Sequence, residues 1–103
     1  EGELAHMLHT ALAAEAPVAI RYPRGSGLGV PWPDSPEVLE VGRADVRTRG
    51  EDVAFLAFGR MVASVQQAAD LLAVDGVSSS VVNMRWVKPL DLETVAWASA
   101  TID

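Results

Sequence analysis

The sequence predicts an α/β fold: the end of one parallel-sheet domain, a Pro/Gly linker, and the start of a second domain built on a βαβ unit. Three observations predict it. From residue 53 onward the patterns run strand, helix, strand, helix, an order that implies a parallel, right-handed crossover. Before that, an amphipathic helix pattern and a short alternating strand pattern read as the tail of another α/β unit. Between them, residues 23–38 carry Pro23, Gly25, Gly27, Gly29, Pro31, Pro33 and Pro36, a density of chain breakers that resists regular structure. The expected boundaries are 1–30 for the end of the first domain, 31–38 for the linker and 39–103 for the start of the second.

Each element has a local reason. In residues 3–14, Leu4, Met7, Leu8, Ala11 and Leu12 fall at i, i+3, i+4, i+7 and i+8, one apolar stripe of a helix. Glu1 and Glu3 sit where the helix dipole favours negative charge, and Pro17 stops continuation. Val18, Ile20 and Tyr22 alternate as in a short strand. Trp32 is expected to anchor the linker against apolar surface. Residues 39–50 alternate loosely and can form a strand ending at Gly50. The wholly apolar run 53–58, VAFLAF, is the pattern of a strand covered on both faces. Gly59 turns the chain. Val62, Val65, Ala69 and Leu72 then repeat at helical spacing over about 61–75, and Gly76 is placed to cap the helix. Residues 79–87 read as the next strand, broken by Pro89. Asp91 can cap a helix reaching about Ala100, with Glu93 in its first turn. The patterns at both ends begin and stop in mid-element, so the chain is expected to be a fragment of a larger protein.

Composition narrows the class. Of 103 residues half are hydrophobic, and 8 basic against 14 acidic side chains give a formal net charge of −6. That balance argues against a general nucleic-acid surface, which needs clustered positive charge, and leaves room for a local anion site. No apolar run exceeds six residues, too short to span a membrane, and the first ten residues are acidic and amphipathic, unlike a signal or transit peptide. With no cysteine, disulfides, thiolate metal sites and a Cys nucleophile are excluded within this chain.

The residues with the most chemical promise are Arg21 and Arg24 in AIRYPRGSG (19–27). Ligands of α/β sheets gather beyond the carboxyl ends of strands, and a guanidinium matches phosphate or carboxylate with a planar fork of donors. Pro23 stiffens the approach, and Gly25 lets backbone come close to a ligand. A phosphate clamp and a structural ion pair are both open on residue types alone. Arg24, out on the loop, is the better ligand candidate, and Arg21 the better structural partner. His6 and His9 lack a third metal ligand nearby and read as ordinary surface or core-edge residues. Phe58–Gly59–Arg60 reads as a tight turn, since neither the dinucleotide fingerprint nor the P-loop is present. Ser26, Ser64 and Ser78–Ser80 have no nucleophile context. Arg85, Trp86 and Lys88 read as packing and interface residues; Asp91 and Glu93 as helix-capping groups.

The blocks PVAIRYPRG, LEVGRADV, GEDVAFLAFGRMV and VVNMRWVKPLD, in this order and spacing, resemble consecutive blocks of the 1-deoxy-D-xylulose-5-phosphate synthase family, within the transketolase-like superfamily. The resemblance covers nearly the whole chain, and RYPRG with RWVKPLD is fairly specific to that family. It implies a three-domain enzyme using thiamine diphosphate and Mg²⁺, both bound outside this chain. Such an enzyme condenses pyruvate with D-glyceraldehyde 3-phosphate, releases CO₂ and feeds isoprenoid, thiamine and pyridoxal synthesis. It also implies a homodimer in bacterial cytoplasm or plastid stroma, without nucleic-acid or membrane partners. On this mapping residues 1–30 end the pyrimidine-binding domain and residues 39–103 begin a transketolase C-terminal-type domain. One functional position transfers: Arg24, the second arginine of RYPRG, would bind the phosphate of glyceraldehyde 3-phosphate. No catalytic, cofactor-binding or metal-binding residue transfers to this chain. Two departures stand out: AEAP where a glycine often precedes the proline, and Ser26 where Asn is usual. The rival readings are another thiamine-dependent enzyme such as a 2-oxoacid dehydrogenase β-subunit, and a non-catalytic α/β interaction module.

Overall fold

The computed structural model describes residues 2–102. The chain divides into two units, Glu1–Glu40 and Val41–Asp103. In chain order the elements are α1 (Gly2–Ala13), β1 (Asp45–Thr48), β2 (Val53–Ala57), α2 (Met61–Val74), β3 (Ser79–Asn83) and α3 (Leu92–Thr101).

The first unit contains α1 and, from residue 14 to residue 40, no helix or strand. Glu3 lies in the first turn of α1, where the dipole favours it; Glu1 lies outside the described residues. The apolar stripe is not the buried face. Ala5 and Thr10 are buried, whereas Leu8 is half-exposed and Leu12 is 86 % exposed. The buried side is the one on which residues 37–39 are hydrogen-bonded to the helix. The strand expected at 18–22 is not formed. A strand needs a neighbour to take its N–H and C=O groups, and the described residues of this unit offer none. Trp32, expected to be buried against apolar surface, is 57 % exposed. The breaker-rich stretch is irregular throughout, as its prolines and glycines require.

The second unit is a mixed three-stranded sheet in the order β1-β3-β2. β2 and β3 are parallel, with Val53 opposite Ser79 and Ala57 opposite Asn83, so the expected βαβ unit is present. β1 runs antiparallel to β3, with an irregularity between Val46 and Thr48. The strand covered on both faces is β3, not β2. Ser80, Val81, Val82, Asn83 and Met84 are all buried, while Leu56 in β2 is 41 % exposed. A central strand has partners on both flanks; β2 lies at the sheet's edge, and its apolar run did not reveal that. α2 packs on β3 and β2, and α3 on β2.

Two polar devices hold the centre. Gly50 N–H donates to Ser80 Oγ at 2.9 Å, and that hydroxyl donates back to Gly50 O at 2.8 Å. A Cβ on Gly50 would lie 2.3 Å from Ser79 N, so only glycine fits against β3. The end of α2 closes as a Schellman motif: Val77 N–H reaches Leu72 O, Gly76 N–H reaches Ala73 O, and Gly76 sits at φ +79°.

Candidate functional site

In the second unit, the carboxyl ends of the parallel strands lead into two turns. After β2, Met61 N–H bonds Phe58 O at 3.2 Å and Val62 N–H bonds Gly59 O at 3.1 Å, with Gly59 at φ +56°. This is the tight turn expected of Phe58–Gly59–Arg60. After β3, Asn83 Oδ1 accepts from Arg85 N–H at 3.2 Å and Arg85 adopts φ +57°, which ends the strand earlier than the pattern 79–87 suggested. The Arg85 guanidinium lies 3.8 Å from an Asp45 oxygen that Arg47 Nε also approaches at 2.7 Å. The Trp86 Nε1 atom is buried without a partner. These contacts tie β1 to the end of β3 and accord with packing roles for Arg85 and Trp86; Lys88 is exposed.

Asp91 joins two segments. Its Oδ1 accepts from Thr94 N–H at 2.9 Å, capping α3, and its Oδ2 accepts from Ala44 N–H and Thr94 Oγ1, both at 2.8 Å. The Ala44 and Thr94 amides hold its carboxyl below the usual carboxylate range, with Arg43 adding attraction and burial opposing. Asp52 is lowered in the same way by the amide, then the hydroxyl, of Ser78. Both are structural carboxylates. Glu93 lies in the first turn of α3, where it complements the dipole.

In the first unit, Arg24 lies in an exposed, irregular segment between Pro23 and Gly25, whose φ is +133°. Neither Arg21 nor Arg24 has an ion-pair partner among the described residues. The structural pairing expected of Arg21 is therefore not made within them. The strand whose carboxyl end was expected to aim Arg24 is absent, so for Arg24 the motif stands without that geometric support. His6 and His9 do not come together with other ligands, and no group of three or more His, Asp or Glu among the described residues could hold a metal ion. His6 has a different role that sequence reading missed: its Nδ1 accepts from Glu37 N–H at 2.8 Å. No helix among the described residues is long and apolar enough to cross a membrane.

Residues 42–101 match the family model described as transketolase, C-terminal domain. The chain is 54 % identical over 92 residues to a 1-deoxy-D-xylulose-5-phosphate synthase of Thermomicrobium roseum, covering 88 % of this chain and 15 % of that protein. It is 45 % identical over 102 residues to the like-named protein of Symbiobacterium thermophilum, covering 99 % of this chain and 16 % of that one. A solved structure described as a split gene transketolase, inactive beta4 tetramer, superposes with a TM-score of 0.63 at 36 % identity, over 72 % of this chain and 25 % of that one. The chain thus spans about one sixth of the length of the curated relatives it matches.

Proposed function

Since this chain belongs to the transketolase C-terminal domain family, we propose that it is the junction segment of a 1-deoxy-D-xylulose-5-phosphate synthase. Residues 1–30 would end the pyrimidine-binding domain, 31–38 the linker, and 39–103 would start the C-terminal domain. The single observation that carries this reading is the 54 % identity to a synthase over 92 residues, which embraces both the breaker-rich stretch and the sheet unit.

The parent would join pyruvate to D-glyceraldehyde 3-phosphate, lose CO₂ and release 1-deoxy-D-xylulose 5-phosphate, a precursor for isoprenoids, thiamine and pyridoxal. Thiamine diphosphate would supply the carbanion chemistry, with Mg²⁺ holding its diphosphate. Both are assigned to parts of the parent outside this chain. A homodimer acting on small substrates in bacterial cytoplasm or plastid stroma completes the reading.

Arg24 is assigned the phosphate of the aldehyde substrate. Its guanidinium has no acidic partner among the described residues, so nothing there competes with a phosphate, and a guanidinium–phosphate pair is charge-assisted and bidentate. In the intact enzyme, Arg24→Ala should weaken use of glyceraldehyde 3-phosphate by about 2–5 kcal/mol in kcat/KM. The KM for pyruvate should barely move. Steady-state kinetics with each substrate varied in turn tests this; equal losses for both substrates would remove Arg24 from the phosphate site.

A further inference from the structure

His6 and Thr10 stand one turn apart on α1, so their side chains share a face. Both point at the same stretch of connector. His6 Nδ1 accepts the Glu37 amide at 2.8 Å, and Thr10 Oγ1 accepts the Leu39 amide at 2.8 Å while donating to His6 O at 2.7 Å. The two amides are two residues apart, the spacing at which an extended backbone presents its N–H groups to one side. Farther back along the helix, a Cβ on Gly2 would lie 3.6 Å from Pro31 O and 3.7 Å from Val30 Cγ1, so the same connector also passes beside the first turn. The chain is strapped along α1, and two side chains do the strapping.

The two fasteners differ chemically. A threonine hydroxyl accepts at any pH, whereas imidazole Nδ1 accepts only while the ring is neutral and its proton sits on Nε2. We propose that His6 and Thr10 form a two-point clasp on residues 37–39 whose first point releases on protonation of His6, while the second does not. The charged groups on the two segments that meet here are Glu3 and His9 on α1, and Asp34, Glu37 and Glu40 on the connector. Once protonated, Nδ1 carries a hydrogen of its own and no longer accepts from the Glu37 amide. The inference does not depend on the proposed reaction, because it concerns backbone attachment alone.

Hydrogen–deuterium exchange on the intact protein, resolved to single amides and corrected for the intrinsic pH dependence of exchange, tests it. The Glu37 amide should be protected at pH 7.5 and lose about fivefold of that protection at pH 5.5, the size of one net hydrogen bond. The Leu39 amide should hold at both. His6→Asn carries a non-titrating acceptor oxygen on Cγ, the atom to which Nδ1 is attached, and should keep Glu37 protected at both pH values. His6→Ala should expose Glu37 at both and leave Leu39 protected, and Thr10→Val should do the reverse. Protection of Glu37 that is unchanged between the two pH values in the native sequence overturns the proposal. So does an equal pH-dependent loss in His6→Asn.

Discussion

Gly50 and Ser80 meet across the second unit with no room between them. The hydroxyl satisfies both main-chain groups of the glycine, and the missing side chain lets β3 pass 2.3 Å from where a Cβ would sit. Gly50→Ala should therefore cost at least ~3 kcal/mol, because backbone atoms rather than a flexible side chain stand in the way. Ser80→Ala should cost about 1–3 kcal/mol, the penalty for leaving buried polar groups unmet. Urea midpoints measure both; a Gly50→Ala shift no larger than that of Ser80→Ala would contradict the packing. At Asp91 charge is decisive. The Ala44 and Thr94 amides lower its carboxyl in the folded state, so the ionised form's contribution is complete above the ordinary carboxylate range, near pH 4. It is lost as pH falls through the lower folded value. Asp91→Ala should be destabilised by about 1–2 kcal/mol at neutral pH, as for a lost N-cap. The gap from the native protein should narrow in acid, and unfolding curves at pH 7 and pH 3 that differ by the same amount would refute the assignment.

At the level of elements, the sequence was most readable where the cause is local. Gly76 ends α2 because only glycine takes φ +79° without strain, and Asp91 starts α3 through its own side chain. These signals lie within a few residues of the structure they specify. The rank of the strands was not readable. β2 is the more apolar run, yet β3 is central, because Ser80 is satisfied by Gly50 thirty residues away and Asn83 by the turn that follows it. Buried hydroxyls and amides look like surface residues until their partners are known. The missing strand at 18–22 is the converse case: alternation of Val18, Ile20 and Tyr22 is a licence to pair, and pairing needs a second strand. Within the candidate site, Arg24 was visible through its motif, while the His6–Glu37 bond was not, because it joins a side chain to a backbone amide 31 residues away.

Across the whole chain, burial is uneven. The first unit buries Ala5 and Thr10, whereas β3 and its surroundings hold most of the buried residues described. Residues 21–32 are exposed and irregular. Trypsin should therefore cleave the 103-residue chain after Arg21 and Arg24 before it cuts at Arg60 in the α2 turn or Arg85 beside β3, since proteolysis favours exposed backbone without hydrogen-bonded structure. Mass spectra of early digestion products check the order; initial cuts at Arg60 or Arg85 would show that the second unit opens first. The same two arginines have a further electrical consequence. They stand unneutralised among the described residues of a chain whose sum is −6. A small anion approaching from afar is repelled by that sum and attracted only once it comes within roughly 8–10 Å, the screening distance of physiological ions. Background electrolyte weakens the distant repulsion as well as the nearby attraction, so dilute buffer gives this spot little of the capture advantage that a uniformly basic surface enjoys.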